Sequence, residues 1–406
     1  MDNYKDTFNR LSLRASWGLT GTQNIPDFAS VATINPVANY VFGEGQTVSA
    51  GSATLQVGNS KLQWQETEQI DIGLDAGFLD GKLDLVVDYF SKNTTNLLLR
   101  VPIATSSGFF RNNGAFQNVG EVVNSGFEFS ASYQESSGNF SYQLRANLAT
   151  VKNEVKDIGV PSIIAGQSDE LGQGQTITRP GSEIGSFYGY ISEGPFVDQA
   201  DVDGHAAQSG AEPGDLKFRD LNGDGVINTD DRTIIGSPFP DFFYGFTANL
   251  NYKQWGLRVQ VDGVQGRDIF ALRSDNDIKG FNNVTRDYLD RWTPDNRDGA
   301  HPRAVTTDPN SNLRSSTYRV KDGSYLAVRN ITLDYTVDPS AISNLVNVTN
   351  LRLFATGSNL FWLTPYEGFN PEMGAGQGSS ASLTRSFDNG TYPVARTLEL
   401  GIEVGF

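Results

Sequence analysis

Apolar and polar residues alternate with a period of two through run after run of this 406-residue chain. Leu11, Leu13, Ala15, Trp17 and Leu19 are interleaved with Ser12, Arg14, Ser16 and Gly18. The same alternation carries Ile70–Phe78, Leu83–Tyr89, Phe127–Gln134, Phe140–Leu148, Tyr244–Tyr252, Leu257–Val261, Ile331–Val337, Leu351–Ala355 and Leu398–Phe406. Successive side chains of a β-strand point to opposite faces, so each run presents one apolar and one polar face. That is the pattern of about ten antiparallel strands, each near the length of 9–11 residues that crosses a tilted bilayer span. Two architectures satisfy it. A soluble sandwich turns the apolar face to a core and the polar face to water. A transmembrane barrel turns the apolar face to lipid and the polar face to a wet lumen.

The connections favour the barrel. Four are short, at 79–82, 135–139, 253–256 and 338–347, and they alternate with long ones at 20–63, 95–117, 152–240, 267–323 and 362–394. Loops beyond about 15 residues are uncommon in compact soluble domains. Outer-membrane barrels have short periplasmic turns at one rim and long extracellular loops at the other. The Gly-, Ser- and Asn-rich stretches Ala375–Ser380 and Ser106–Asn113 read as exposed loop tips. Tyr89, Tyr133, Tyr142, Tyr244, Tyr252 and Tyr335 fall on the apolar faces, several near strand ends, where a barrel places its aromatic girdles. The up-and-down order puts the terminal Phe406 at the rim of the short turns.

Composition narrows the chemistry. A net charge of -16 argues against nucleic-acid binding, which needs clustered Lys and Arg. With no Cys there is no disulfide, Cys-zinc site or thiol nucleophile, and His205 and His301 alone make no multi-histidine centre. Both histidines read as plain surface residues. No run of 18 or more apolar residues offers a spanning helix, and the polar start Met1–Asp6 does not read as a secretory leader. No G-x-S-x-G, H-E-x-x-H or Walker motif is present. Glu66 and Glu68, two apart on one strand face, read as solvated polarity rather than as a glycosidase pair. The chain does not read as an enzyme.

One local motif carries specific chemistry. Asp220–Asp231 (DLNGDGVINTDD) matches a twelve-position calcium loop. Asp220, Asn222 and Asp224 supply oxygens at positions 1, 3 and 5, Gly225 permits the turn at 6, and the Val226 carbonyl serves position 7. Asn228 stands at position 9, Ile227 faces inward at 8, and Asp231 replaces the usual Glu at 12. The expected ion is a structural Ca²⁺ that staples a long external loop.

Leu11–Gln23 (LSLRASWGLTGTQ), Leu62–Phe78, Leu83–Leu99 with DYFSKNTTNLLL, and Asn118–Phe129 (NVGEVVNSGFEF) resemble SusC/RagA-like TonB-dependent outer-membrane transporters. So do Gly214–Gly236, Pro240–Tyr252, Ser324–Tyr335, Asn359–Glu372 (NLFWLTPYEGFNPE) and Tyr392–Phe406, in family order along the whole chain. The resemblance implies energy-coupled import of an oligosaccharide or peptide ligand across a Gram-negative outer membrane. It implies a barrel of about 22 strands in outer-membrane lipid, filled by an N-terminal plug. It also implies a SusD-like surface lipoprotein over the mouth, contact with TonB through the N-terminal region, and a calcium loop of the kind found at Asp220, Asn222, Asp224 and Asp231. Plug, leader and TonB-contacting segment are not found in these residues. The chain is therefore expected to be the C-terminal portion of such a barrel, from a truncated reading frame or a split transporter, with open edges at Leu11–Leu19 and Thr397–Phe406. A self-closed ten-stranded barrel is the less favoured form. The runner-up reading is a secreted, calcium-stapled β-rich glycan-binding protein with Trp362 and Phe109 as stacking platforms.

Overall fold

The computed structural model describes residues 8–23, 27–35, 39–100, 106, 116–166, 171, 173–272, 285–338, 348–374 and 382–406. Ten long strands follow one another as an antiparallel meander: β1 Phe8–Thr22, β2 Gln65–Phe78, β3 Leu83–Thr95, β4 Glu121–Ser137, β5 Phe140–Thr150, β6 Phe242–Tyr252, β7 Trp255–Gln265, β8 Tyr325–Thr336, β9 Asn350–Leu363 and β10 Thr397–Gly405. Each pairs with its neighbours in sequence. Among the described residues β1 pairs only with β2, and β10 only with β9, so the sheet is an open arc with the two free edges the sequence led us to expect.

Register explains why the alternation is faithful. One row runs Phe140, Tyr252, Trp255, Tyr335, Leu353, Ile402 across β5 to β10, and the next runs Tyr142, Leu250, Leu257, Leu333, Ala355, Leu400. The row just beyond the second, Gln143, Asn249, Arg258, Thr332, Thr356, Glu399, lies on the opposite face. A one-residue slip at any strand would turn its apolar set into the polar face, so the pattern fixes the pairing. The apolar face is bare: Leu13 is 76% exposed, Trp17 68% and Leu400 89%. Among the described residues no second sheet or helix covers it, so the packing of a sandwich, which the runner-up reading needs, is not what these strands form. This is an outward, lipid-facing band on a portion of a transmembrane barrel.

The short turns are tight. Ser137 and Phe140 pair across Gly138-Asn139, and Tyr252 and Trp255 pair across Lys253-Gln254. Gly138 (φ 61°) and Lys253 (φ 52°) are left-handed, the geometry that matches the right-handed twist of the flanking strands. These two turns are shorter than the sequence boundaries 135–139 and 253–256, because the strands pair to their last residue. Most of the expected turn at 338–347 lies outside the described residues. So do most of the loop tips at 106–113 and 375–380.

Aromatics gather at the short-turn rim. Phe8 and Phe78 lie 4.9 Å apart, Tyr133 and Tyr142 5.7 Å, and Trp255 and Tyr335 4.9 Å. Phe406 follows β10 at the same rim and is 84% exposed. Tyr89 and Tyr244 stand further up, Tyr244 eight residues from Tyr252. Eight residues span about 26 Å at the usual rise of a strand, close to the height of an apolar band of about 25 Å. The six tyrosines thus divide between two levels.

The long connections are where the structure departs most from a reading as exposed loops. Among the described residues most of the buried core lies in them, apart from a cluster of Val264, Tyr325 and Ala327 on the strands themselves. Tyr190, Leu216, Phe218 and Ile227 form one cluster, Phe187, Phe270 and Leu272 a second, and Val155, Ile158 and Ile163 join Val122 of β4 in a third. A small four-stranded sheet (Ile163–Ala165, Thr176–Thr178, Ser186–Gly189, Thr233–Gly236) and a short helix, α1 (Gln199–Asp203), scaffold them. The loops form a folded cap at the end opposite the short turns.

Candidate functional site

Two regions hold concentrated polar chemistry: the concave face of the sheet and the cap above it. On the concave face Arg14 of β1 bridges Asp75 of β2 (Nε to Oδ2, 3.0 Å) and Asp88 of β3 (Nη2 to Oδ1, 2.9 Å). Gly73 makes room: a Cβ there would sit 2.0 Å from Asp88 Oδ1. Arg352 of β9 ties Asp334 of β8 to Glu403 of β10, both at 3.1 Å. Thr332 and Thr356 hydrogen-bond across β8 and β9 at 2.9 Å. A recess of about 580 Å³ lies among Asn249, Arg258, Gln260, Asn330, Thr332 and Arg352. Such a wall is wetted, donor- and acceptor-rich, and suited to polar cargo or to a polar protein segment.

Nearer the cap, Arg329 of β8 pairs with Asp262 of β7 and with Glu372 (Nη1 to Oε1, 2.5 Å), and Glu372 also accepts from Trp362 Nε1 at 2.6 Å. Arg267 donates to the carbonyls of Pro371 and Met373 on either side of Glu372. Residues 371–373 are thus pinned to the wall by two arginines. Arg329 was not singled out in the sequence; its only signal is a charge at the register shift between Val328 and Asn330, inside an otherwise alternating run. Trp362, expected as a stacking platform, instead packs beside Val264, Tyr325 and Ala327 with its indole N–H taken by Glu372. Phe109 lies outside the described residues.

In the cap, the Asp220–Asp231 loop closes on itself. Asp220 accepts from the N–H groups of Gly223 (2.7 Å) and Gly225 (2.8 Å), both glycines being left-handed (φ 73° and 83°). Asn222 Oδ1 accepts from Asp224 N at 2.9 Å, and Asp224 Oδ1 from Val226 N at 2.9 Å. The backbone N–H of Val226, then the Asn222 amide, hold the Asp224 carboxyl below the usual carboxylate range. Asp231 is fully buried and accepts from Leu221 N and Asn228 N, both at 2.8 Å. Ile227 points inward to the Tyr190 cluster. Among the described residues no group of three or more His, Asp or Glu converges as metal ligands. The oxygen-only donor set of Asp220, Asn222, Asp224, the Val226 carbonyl and Asp231 fits a hard cation in chemistry.

Neither histidine is a plain surface residue. His205 Nε2 donates to the Phe218 carbonyl at 2.8 Å, and its ring meets Phe196 at 5.3 Å. His301 Nδ1 is hydrogen-bonded to the Tyr318 hydroxyl at 2.8 Å and sits 5.8 Å from the Tyr288 ring. The cap folds around them, which no local pattern announces.

The open meander and its outward apolar band are the parts of a larger transmembrane β-barrel. A profile described as "TonB dependent receptor-like, beta-barrel" matches residues 3–360. The chain belongs to this TonB-dependent receptor β-barrel family. Among its relatives, TonB-dependent receptor P26 of Formosa agariphila is 31% identical over an alignment of 407 positions that covers 99% of this chain and 40% of that protein. The TonB-dependent receptor SusC of Bacteroides thetaiotaomicron is 27% identical over an alignment of 410 positions that covers 98% of this chain and 37% of SusC. The solved RagAB peptide transporter superposes with a TM-score of 0.76 at 22% identity, over 99% of this chain and 41% of that one. This TonB-dependent receptor segment therefore spans about two fifths of the relatives it matches. Family and fold place it in the outer membrane as part of a SusC/RagA-like barrel.

Proposed function

We propose that this chain forms the C-terminal barrel portion of an outer-membrane importer that takes up oligosaccharides or peptides. The observation that carries the reading is the register-aligned sheet with a bare apolar face outside and a hydrogen-bonding face inside, under a folded cap. An open arc leaves backbone groups unpaired at β1 and β10, a cost that hydrocarbon does not tolerate, so further strands complete the barrel. Import is energised through TonB by the N-terminal region, and a SusD-like lipoprotein closes on the cap. The name of the TonB-dependent receptor SusC supports the coupling to TonB, and that of the RagAB peptide transporter supports a peptide as one cargo class. The test is uptake of labelled oligosaccharides and peptides by cells with and without the gene; equal uptake of every cargo in the two strains refutes the reading.

The Asp220–Asp231 loop holds a structural Ca²⁺ in this reading, through Asp220, Asn222, Asp224, Asp231 and the Val226 carbonyl. What supports it is the spacing, together with a backbone already folded by two left-handed glycines around Asp220. The ion would neutralise carboxylates that repel one another and fasten the loop to the Ile227 anchor.

A further inference from the structure

The lipid-facing band is not even at the rim of the short turns. Trp255, Tyr335, Leu353 and Ile402, with Leu333, Ala355 and Leu400 of the next outward row, surround a recess of about 580 Å³. In the register Ala355 stands between Leu333 and Leu400, and its single methyl group leaves the depression between them. Asp334 and Phe354 also border the recess, but their side chains lie on the lumenal face: Asp334 bonds Arg352 above Gly256, and Phe354 lies over Gly401. The recess is therefore apolar, with the Trp255 and Tyr335 rings, 4.9 Å apart, at its rim end. Beside it, Lys253 of the left-handed turn holds its ammonium over the ring of Tyr252, 5.6 Å from the centroid, and Tyr252 pairs with Trp255. Lys253 is exposed and makes no ion pair among the described residues. Asp334 is taken by Arg352, and Asp338, beyond the end of β8, has a partner other than Lys253.

Each part selects a chemistry. Short turns mark the periplasmic side of an outer-membrane barrel, and that leaflet is built of glycerophospholipids. Leu333 and Leu400 stand two strands apart, about 10 Å, which leaves room between them for one acyl chain. Trp and Tyr rings settle at the level of the headgroups, so Trp255 and Tyr335 mark where such a chain meets its glycerol. A lysine whose stem lies along apolar surface keeps its charge at that level. An unpaired ammonium there attracts a phosphate, and most strongly that of a lipid with net negative charge. A second copy of the chain seated on this face would bring no carboxylate to Lys253, because none stands in either outward row.

We propose that this recess seats one acyl chain of an anionic glycerophospholipid from the periplasmic leaflet, with the lipid's phosphate at Lys253. The proposal rests on the outer-membrane placement and is independent of the cargo. The test uses the intact transporter in phosphatidylethanolamine vesicles that carry a minor share of brominated phosphatidylglycerol, whose acyl bromines quench a tryptophan they touch. Trp255 is read as the difference between wild type and Trp255→Phe. Half-quenching is expected at about fivefold less brominated phosphatidylglycerol than brominated phosphatidylethanolamine, the preference that one lysine at a membrane surface supplies. Lys253→Asn, which suits the left-handed turn, loses that preference, and Lys253→Arg restores it. Ala355→Phe, which fills the depression, loses it as well, and all three variants keep the heat-modifiable mobility of a folded barrel. Equal quenching by the two lipids, or a preference that survives Lys253→Asn or Ala355→Phe, overturns the proposal. So does the absence of quenching by either lipid, and cross-linking of two copies through this face would then assign it to a dimer. Failure of the outer-membrane placement shows separately, as protein that does not float with the vesicles.

Discussion

Arg303 and Asp215 meet through two parallel hydrogen bonds, Nε to Oδ1 at 2.8 Å and Nη2 to Oδ2 at 3.1 Å, with the Asp215 side chain wholly buried. The pair joins the third long connection to the fourth. Asn312 adds to it, donating to Asp215 Oδ1 at 3.0 Å and accepting from Leu216 N at 2.6 Å. Removing one partner leaves a buried charge without its counter-charge, which costs about 3–5 kcal/mol. Arg303→Ala is therefore expected to loosen the cap while the barrel persists. Hydrogen exchange should rise across 190–231 and 303–316 and stay unchanged in the ten strands; unaltered exchange in the cap contradicts the assignment.

Neighbouring residues on opposite faces should respond in opposite ways. Leu333 faces outward and is 46% exposed, while Thr332 faces the lumen and bonds Thr356. Leu333 lies two residues from the rim pair of Trp255 and Tyr335, so an Arg there on the lipid face costs less than the roughly 2–4 kcal/mol of a mid-bilayer position, whereas lumenal changes tune selectivity. In the intact transporter, Leu333→Arg lowers the yield of heat-modifiable barrel in lipid vesicles and Thr332→Arg leaves it near wild type. Equal sensitivity at both positions would remove the basis for assigning the faces.

The calcium assignment makes a prediction about protease access. Asp220→Ala or Asp224→Ala abolishes metal binding, and either variant, or wild type with a chelator, is cut faster within 152–240. Cleavage indifferent to both chelator and substitution shows that the loop's own hydrogen bonds suffice.

Where the cap meets the barrel, burial pushes the carboxyl pKa of Glu183 and of Asp268 up, against hydrogen bonds from Ser237. Ser237 donates its hydroxyl to Glu183 and its N–H to Asp268 Oδ2 at 2.9 Å. With the folded pKa above the unfolded one, their contribution to stability is complete below the ordinary carboxylate range and is lost as pH rises through the raised values. Glu183→Gln keeps an acceptor and removes the charge. Its melting temperature should exceed that of wild type at neutral pH, with the gap closing on acidification. A gap that widens as pH falls carries the wrong sign.

How much of this was legible follows from where the information is stored. The lipid-facing rows, such as Tyr142 to Leu400, could be read strand by strand because pleating alone sends alternate side chains to opposite faces. The short turns could be read because a hairpin must reverse the chain within a few residues. The Asp220–Asp231 spacing was legible for the same reason, since its carboxylates are bonded to N–H groups of the loop itself, while the backbone pairing of Gly225 and Ile227 with Ala207 was not.

The cap was not legible. Phe187 meets Phe270 and Phe387, and Arg319 is buried between Leu313 and Phe270, across separations no local period spans. The same holds for the Arg329, Glu372 and Trp362 network. The sequence by itself determined the strands, their faces and the rim at which each turn lies, because those are fixed by neighbours in the chain. Only the tertiary structure decided which loop residues are interior and which cations stand unpaired, because packing and charge pairing depend on what distant segments bring to the same place.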